Sequence, residues 1–171
     1  MKWKHLAAGT AIAIACVLSG CAPVHRTTRA ESDRAKTFEA LPDKGIVYIY
    51  RNTFLGAFIS MNVDIDHVRI GATGPNSFFK LALEPGIHTI TSRSENTDSL
   101  NIDVKAGESY YVWQDVKMGI GIARTGVHLM SAEEGRHEIH LLKLLRTDNH
   151  QFDMPESGVA KTTPADAATL S

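Results

Sequence analysis

Between residues 44 and 130 the hydrophobic positions recur at every second residue, and that period predicts strands rather than helices. Gly45–Arg51 carries Ile46-Val47-Tyr48-Ile49-Tyr50, apolar on both faces, which predicts a central strand. Residues 58–65 alternate: Ile59, Met61, Val63 and Ile65 point one way, and Ser60, Asn62 and Asp64 the other. Further short strands are predicted over 68–72, Ser77–Leu83, 87–93, 99–104, 110–116 and 122–130, the last broken by Gly126. About eight short strands with turn signals every eight to twelve residues predict an all-β fold, a small antiparallel β-sandwich of about 7–8 strands or a small barrel.

The turn chemistry agrees. Asp66-His67 reads as a two-residue hairpin loop, a place where both residues need positive φ and where His is less suited than Gly. Glu84-Pro85-Gly86 predicts a type II turn, and Ala106-Gly107 another tight connection. Ser131 with Glu134 three residues on forms a capping-box pattern, so a C-terminal helix is expected over 131–146. Ile139, Leu142 and Leu145 would be its docked stripe, and Gly135 would weaken it by about 1 kcal/mol relative to Ala.

The two ends lack the strand pattern. Residues 21–43 read as a polar tether with two readings. One is a helix capped by Ser32 that carries Ala35, Phe38 and Leu41; the other is a flexible spacer with Phe38 as its docking aromatic. Residues 147–171, rich in Pro, Thr, Ala and Ser with few large apolar side chains, read as a disordered tail.

The first twenty residues have a different character. Lys2 and Lys4 precede an apolar stretch, residues 6–18, that suits a secretory signal and is too short for a stable membrane span. It ends in Leu18-Ser19-Gly20-Cys21, which resembles the lipobox of bacterial lipoproteins. The resemblance implies cleavage between Gly20 and Cys21 and a diacylglycerol thioether on Cys21. Ala22, where an Asp tends to retain enterobacterial lipoproteins at the inner membrane, favours the periplasmic face of the outer membrane. Removing residues 1–20 takes two of the 18 Lys+Arg and none of the 19 Asp+Glu, moving the formal charge from −1 to −3. That is no electrostatic footprint for nucleic acid. Of the two cysteines, Cys16 leaves with the signal and Cys21 is occupied by lipid, so no disulfide is expected.

Several segments carry a family resemblance. Val47-Tyr48-Ile49-Tyr50-Arg51 followed by Val63-Asp64-Ile65-Asp66 resembles the bacterial lipoproteins grouped as domain of unknown function 2846. So do Leu83-Glu84-Pro85-Gly86-Ile87-His88-Thr89-Ile90, Gly107-Glu108-Ser109-Tyr110-Tyr111-Val112 and Glu133-Glu134-Gly135. The resemblance covers roughly residues 43–139. It implies an envelope lipoprotein with a β-sandwich and no established reaction. The Leu-x-Pro-Gly-x-His segment is also similar to small β-sandwich modules of the PEGA and carboxypeptidase-regulatory type, where it is a turn.

Candidate chemistry is sparse. His137 and His140 stand three apart near one face of the expected helix, a spacing able to ligate metal; a solvated face is the plainer reading. His88 and His128 sit in strand patterns and read as packed or outward-facing residues. Asp64 and Asp66 share a strand face about 7 Å apart, but they flank a hairpin, where Asp is ordinary. Met118-Gly119-Ile120-Gly121-Ile122-Ala123 looks faintly like a phosphate loop, yet Arg124 stands where the third glycine belongs and no βαβ unit surrounds it. Trp113 is either buried or, with Arg124, part of a contact patch. No catalytic, cofactor or metal site is expected from these residues. The expected role is a non-enzymatic module of the cell envelope, held to the membrane through Cys21 and meeting a protein partner. A metal-binding or hydrolytic protein using His137 and His140, and a structural envelope component, are the alternatives.

Overall fold

The computed structural model describes residues 25–155. They form helix α1 (Arg29–Ala35), then strands β1 (Gly45–Arg51), β2 (Met61–Ile65), β3 (Val68–Thr73), β4 (Ser77–Leu83), β5 (Gly86–Arg93), β6 (Thr97–Val104), β7 (Ser109–Met118) and β8 (Ala123–Met130). Helix α2 (Ala132–His140), a two-residue strand β9 (Lys143–Leu144) and a short 3-10 turn (His150–Phe152) follow. One sheet has the order β8-β7-β1-β4-β9 and the other β3-β2-β5-β6.

The two sheets face each other across a core that includes Val47, Ile49, Val63, Ile65, Phe79, Leu81, Ile90, Val112 and Val127. The alternation of β2 puts Met61, Val63 and Ile65 inward, each fully buried. Burying a side chain of this size contributes about 1.5–3 kcal/mol relative to exposure. The second face of β1, with Ile46, Tyr48 and Tyr50, packs with Phe78 and Tyr111 against Ala35, Phe38 and Ile139 from the helical side. That third layer explains why β1 is apolar on both faces: all seven of its residues are buried. The outer face of the second sheet is polar and self-paired, with Arg93 bonded to Asp64 at 2.9 Å and Thr89 to Asn101 at 2.8 Å.

Gly135 has a packing reason. A Cβ there would lie 2.3 Å from the Tyr111 ring, so only glycine lets α2 sit this close to the sheet. Tyr111 in turn stacks on Tyr48, with ring centroids 5.1 Å apart and planes 4° from parallel. The edges at β8 and β3 are closed by side chains and loops rather than by more strands. Asp98 accepts from Val127 N–H at 2.8 Å and Asn96 from Thr125 N–H at 2.8 Å along β8, and Asp148 N–H bonds Ile70 O at 2.8 Å along β3. Covered edges of this kind remove the template for unwanted strand pairing.

Several expectations are corrected. The sandwich is mixed rather than purely antiparallel, because β1 runs parallel to β7 and β4 parallel to β9. The C-terminal helix stops at His140, not at residue 146. Beyond it Lys143 N–H bonds Asn76 O and Leu145 N–H bonds Phe78 O, so the free edge of β4 captures the chain as a strand. Leu142 and Leu145 are buried, but from this strand-like segment. β8 runs unbroken through Gly126. Residues 84–86 make a bend between the two sheets rather than a type II turn: Gly86 has φ 144 and already pairs with Val104 as the first residue of β5.

From His25 onward, the segment read as a tether is part of the folded body. Thr28, not Ser32, caps α1 in a full capping box with Glu31. Ser32 instead accepts from Leu144 N–H at 3.2 Å, and Arg26 bridges to Leu145. The front of the expected tail is also packed, with Phe152 6% exposed in the main core. Residues 1–24 and 156–171, including the signal sequence and Cys21, lie outside the described residues.

Candidate functional site

Parallel pairing of β1 with β7 brings Arg51 and Met118 to the same end of the sandwich. Two loops leave from that end, residues 52–60 between β1 and β2 and residues 119–122 between β7 and β8. The first packs against the strands that carry the second: a Cβ on Gly56 would lie 3.3 Å from the Ala123 Cβ and 3.6 Å from Val116. Neither residues 52–60 nor residues 118–123 contain a single Lys, Arg, Asp or Glu. Of the nine large hydrophobic side chains that stand exposed among the described residues, six are here: Phe54, Leu55, Phe58, Met118, Ile120 and Ile122. Phe58 is 102% exposed and Ile120 99%, so these side chains project outward and contribute nothing to the core. An exposed apolar cluster of this density marks a contact surface more often than a solvated one.

The loops are held by two charged residues, the buried Arg51 and the exposed Glu95. Arg51 is fully buried and has no carboxylate partner among the described residues. Its guanidinium donates to three loop carbonyls, Leu55 O at 2.7 Å, Gly56 O at 2.8 Å and Ile59 O at 2.8 Å. Burial pulls the Arg51 pKa below its ordinary value. Glu95, in the β5–β6 turn, accepts three consecutive N–H groups of the other loop, from Ile120 at 3.0 Å, Gly121 at 3.1 Å and Ile122 at 3.0 Å. The Ile122 and Ile120 bonds, followed by that of Gly121 and the nearby Arg124 charge, hold the Glu95 carboxyl below its usual range. Gly119 is required by this arrangement, since a Cβ there would fall 2.1 Å from Glu95 Oε2. The segment that looked like a phosphate loop is therefore an anion-binding backbone whose anion is an internal carboxylate.

Beneath the tip the interior turns polar. Thr73 Oγ1 donates to Gln114 Oε1, Gln114 Nε2 donates to Ser92 Oγ at 2.5 Å, and Ser92 pairs with Thr125 at 2.7 Å. This buried chain joins β3 and β5 of one sheet to β7 and β8 of the other. Satisfied buried networks of this type fix a unique geometry. Asn52 adds a tie to the helical layer, accepting from Trp113 Nε1 at 3.0 Å and donating to Glu138 at 2.9 Å.

The residues singled out from sequence are dispersed. Trp113 is half-buried, its ring 5.6 Å from that of His128, while Arg124 pairs across from Lys117. The register puts Trp113 opposite His128 and so separates it from Arg124 by two pairing steps on one face; the two do not form a joint patch. His140 packs edge-on against Phe38 at 5.3 Å, and exposed His137 has its Nδ1 3.8 Å from Glu138. Among the described residues no three His, Cys, Asp or Glu side chains gather as a metal site. Asp64 is paired with Arg93. Asp66 bonds the Thr89 N–H at 2.8 Å and His88 at 2.6 Å, and the second His88 nitrogen lies 2.8 Å from Glu84 O. Burial would raise the Asp66 pKa, but the Thr89 and His88 bonds outweigh it and the carboxyl falls below its ordinary value. The tip itself was missed from sequence, although two charge-free loops bearing Phe54, Phe58 and Ile120 between strands were a visible signal.

Comparison with known proteins shows a family and a relative. Residues 42–128 match the family model described as "Protein of unknown function (DUF2846)". A Haemophilus influenzae relative described as an uncharacterized protein is 35% identical over 136 residues, spanning 78% of this chain and 80% of that protein.

Proposed function

This chain belongs to the DUF2846 family, described as being of unknown function, and on that premise we propose that it is a lipid-anchored, non-enzymatic contact module of the bacterial cell envelope. The observation that carries the reading is the tip. Its apolar side chains are displayed outward, and its backbone is fixed by a buried Arg51 and by Glu95. Fixing a loop before it meets a partner removes ordering entropy from the binding step. The anchoring half of the reading is supported by the basic start, the apolar stretch and the Leu18-Ser19-Gly20-Cys21 sequence. Ala22 supports placement at the periplasmic face of the outer membrane. An anchor confines the module to one surface and raises its effective concentration there.

Mass spectrometry of the mature protein, with membrane fractionation, tests this. The expected N-terminus is an acylated Cys21 in the outer-membrane fraction, and a Cys21→Ala protein should lose both acylation and that distribution. A mature protein that starts elsewhere, or carries an unmodified Cys21, overturns the anchoring.

A further inference from the structure

We propose that the tip enters the lipid bilayer, so that the protein holds its membrane by two attachments, the lipid on Cys21 and the apolar loops 52–60 and 119–122. The proposal rests on the anchoring reading above and names the occupant of the tip.

Three observations select a bilayer over a protein partner or a second copy. The first is shape. The apolar side chains stand on two loop apices, with Phe58 and Ile120 fully exposed, so the tip is a protrusion that must itself be received by something soft or hollow. The second is charge. Fifteen residues of the two segments 52–60 and 118–123 carry no charged side chain, as a hydrocarbon phase demands.

The third observation concerns the backbone. Backbone polar groups lose their water on approaching hydrocarbon and need partners within the protein, so irregular loops of this kind seat their side chains in the bilayer from its interfacial zone. Here the carbonyls of Leu55, Gly56 and Ile59 are taken by Arg51, and the N–H groups of Ile120, Gly121 and Ile122 by Glu95. The Leu55 N–H bonds Thr53 Oγ1, the Ile59 N–H bonds Gly56 O, and the Gly119 N–H bonds Ile122 O.

The attachment geometry is compatible. His25 lies beside Arg146, on the segment that pairs Lys143 with Ser77 at the tip end of β4. That separates it from the tip end by about 10 Å at 3.3 Å per residue. The four residues from Cys21 to Val24 reach about 14 Å when extended, so the lipid and the tip can share one leaflet.

The test uses the full-length acylated protein, in which Cys16 has left with the signal and the Cys21 sulfur is blocked. A single cysteine is placed at the tip (Phe58→Cys or Ile120→Cys) or at the opposite end (Ile87→Cys) and labelled with an environment-sensitive fluorophore. Each protein is reconstituted into vesicles of phosphatidylethanolamine and phosphatidylglycerol, with and without brominated acyl chains, and vesicle flotation is scored in parallel. The expected result is co-flotation of all three, with a blue shift and bromine quenching at positions 58 and 120 and neither at 87. Co-flotation without quenching at 58 and 120 overturns tip insertion and leaves the lipid anchor standing. A blue shift at the tip that bromine does not quench overturns it in favour of a protein or self-contact. Failure of every protein to float overturns the anchoring and this proposal with it.

Discussion

Arg51 and Glu95 fix neighbouring loops by opposite chemistry: the guanidinium of Arg51 collects three carbonyls of residues 55–59, and the carboxylate of Glu95 collects the three N–H groups of residues 120–122. Arg51 is wholly buried, whereas Glu95 stands exposed in the β5–β6 turn. Together they pair six backbone groups of a charge-free apolar segment whose backbone is irregular.

Arg51→Met should therefore destabilise the fold by about 2–5 kcal/mol, since it strands three part-buried carbonyls at once. Arg51→Lys should fall between the two, because an ammonium lacks the planar fork that spans Leu55, Gly56 and Ile59. Urea unfolding checks this through a lowered midpoint at constant m-value.

Acidification should weaken the protein through Glu95 and Asp66. Their carboxyls lie below the ordinary values of 4.5 and 3.8 in the folded chain. Carboxylates lowered by folding stabilise it above their ordinary values, and that contribution disappears as pH falls through the depressed ones. Urea midpoints followed from neutral pH to below 3.8 should decline, and Glu95→Gln and Asp66→Asn should each flatten part of that decline. An unchanged slope in both variants would contradict the assignment.

Gly135→Ala gives a test of sign. Helix propensity alone favours Ala by about 1 kcal/mol. The Cβ would meet the Tyr111 ring at 2.3 Å, so the expected outcome is a net loss, of about 1–3 kcal/mol as for other overpacked sites. In a double-mutant cycle with Tyr111→Ala the penalty should vanish and the propensity gain should reappear.

His67→Gly should stabilise the β2–β3 hairpin by up to about 1 kcal/mol, because a left-handed conformation is costly for residues with a Cβ. Asp66 and His67 have φ 49 and φ 67, the two positive values that a type I′ turn needs. Thermal unfolding reads the gain directly.

These residues also show what the sequence carries and what it does not. The Asp66-His67 turn and the alternation of Met61, Val63 and Ile65 were legible because each is enforced locally, by backbone sterics or by one buried face. The parallel pairing of β1 with β7 was not, since alternation tells which face is inward and not which strand lies alongside. Leu142 and Leu145 continue a helical spacing, so nothing local announces that the edge of β4 captures the chain at Lys143. The tip left a partial signal: Phe58 falls in phase with the outward Ser60, Asn62 and Asp64, yet whether an apolar residue ahead of a strand packs inward depends on how its loop folds back. Only the fold shows that it points away. Arg51 was equally hidden, because its acceptors are carbonyls, which every residue has.

Replacing Phe58 and Ile120 by Ser should leave the unfolding free energy from urea titration within about 0.5 kcal/mol of the parent, the size typical of surface changes. A larger loss would mean that these side chains serve the fold and not a contact.

The most direct test of the account is photocrosslinking in intact cells, from a photoreactive side chain placed at Ile120 and, as the control, at Ile87. The account predicts phospholipid adducts from position 120 that disappear in the Cys21→Ala background, and none from position 87. Adducts only with protein at position 120, or equal lipid adducts from both positions, would contradict it.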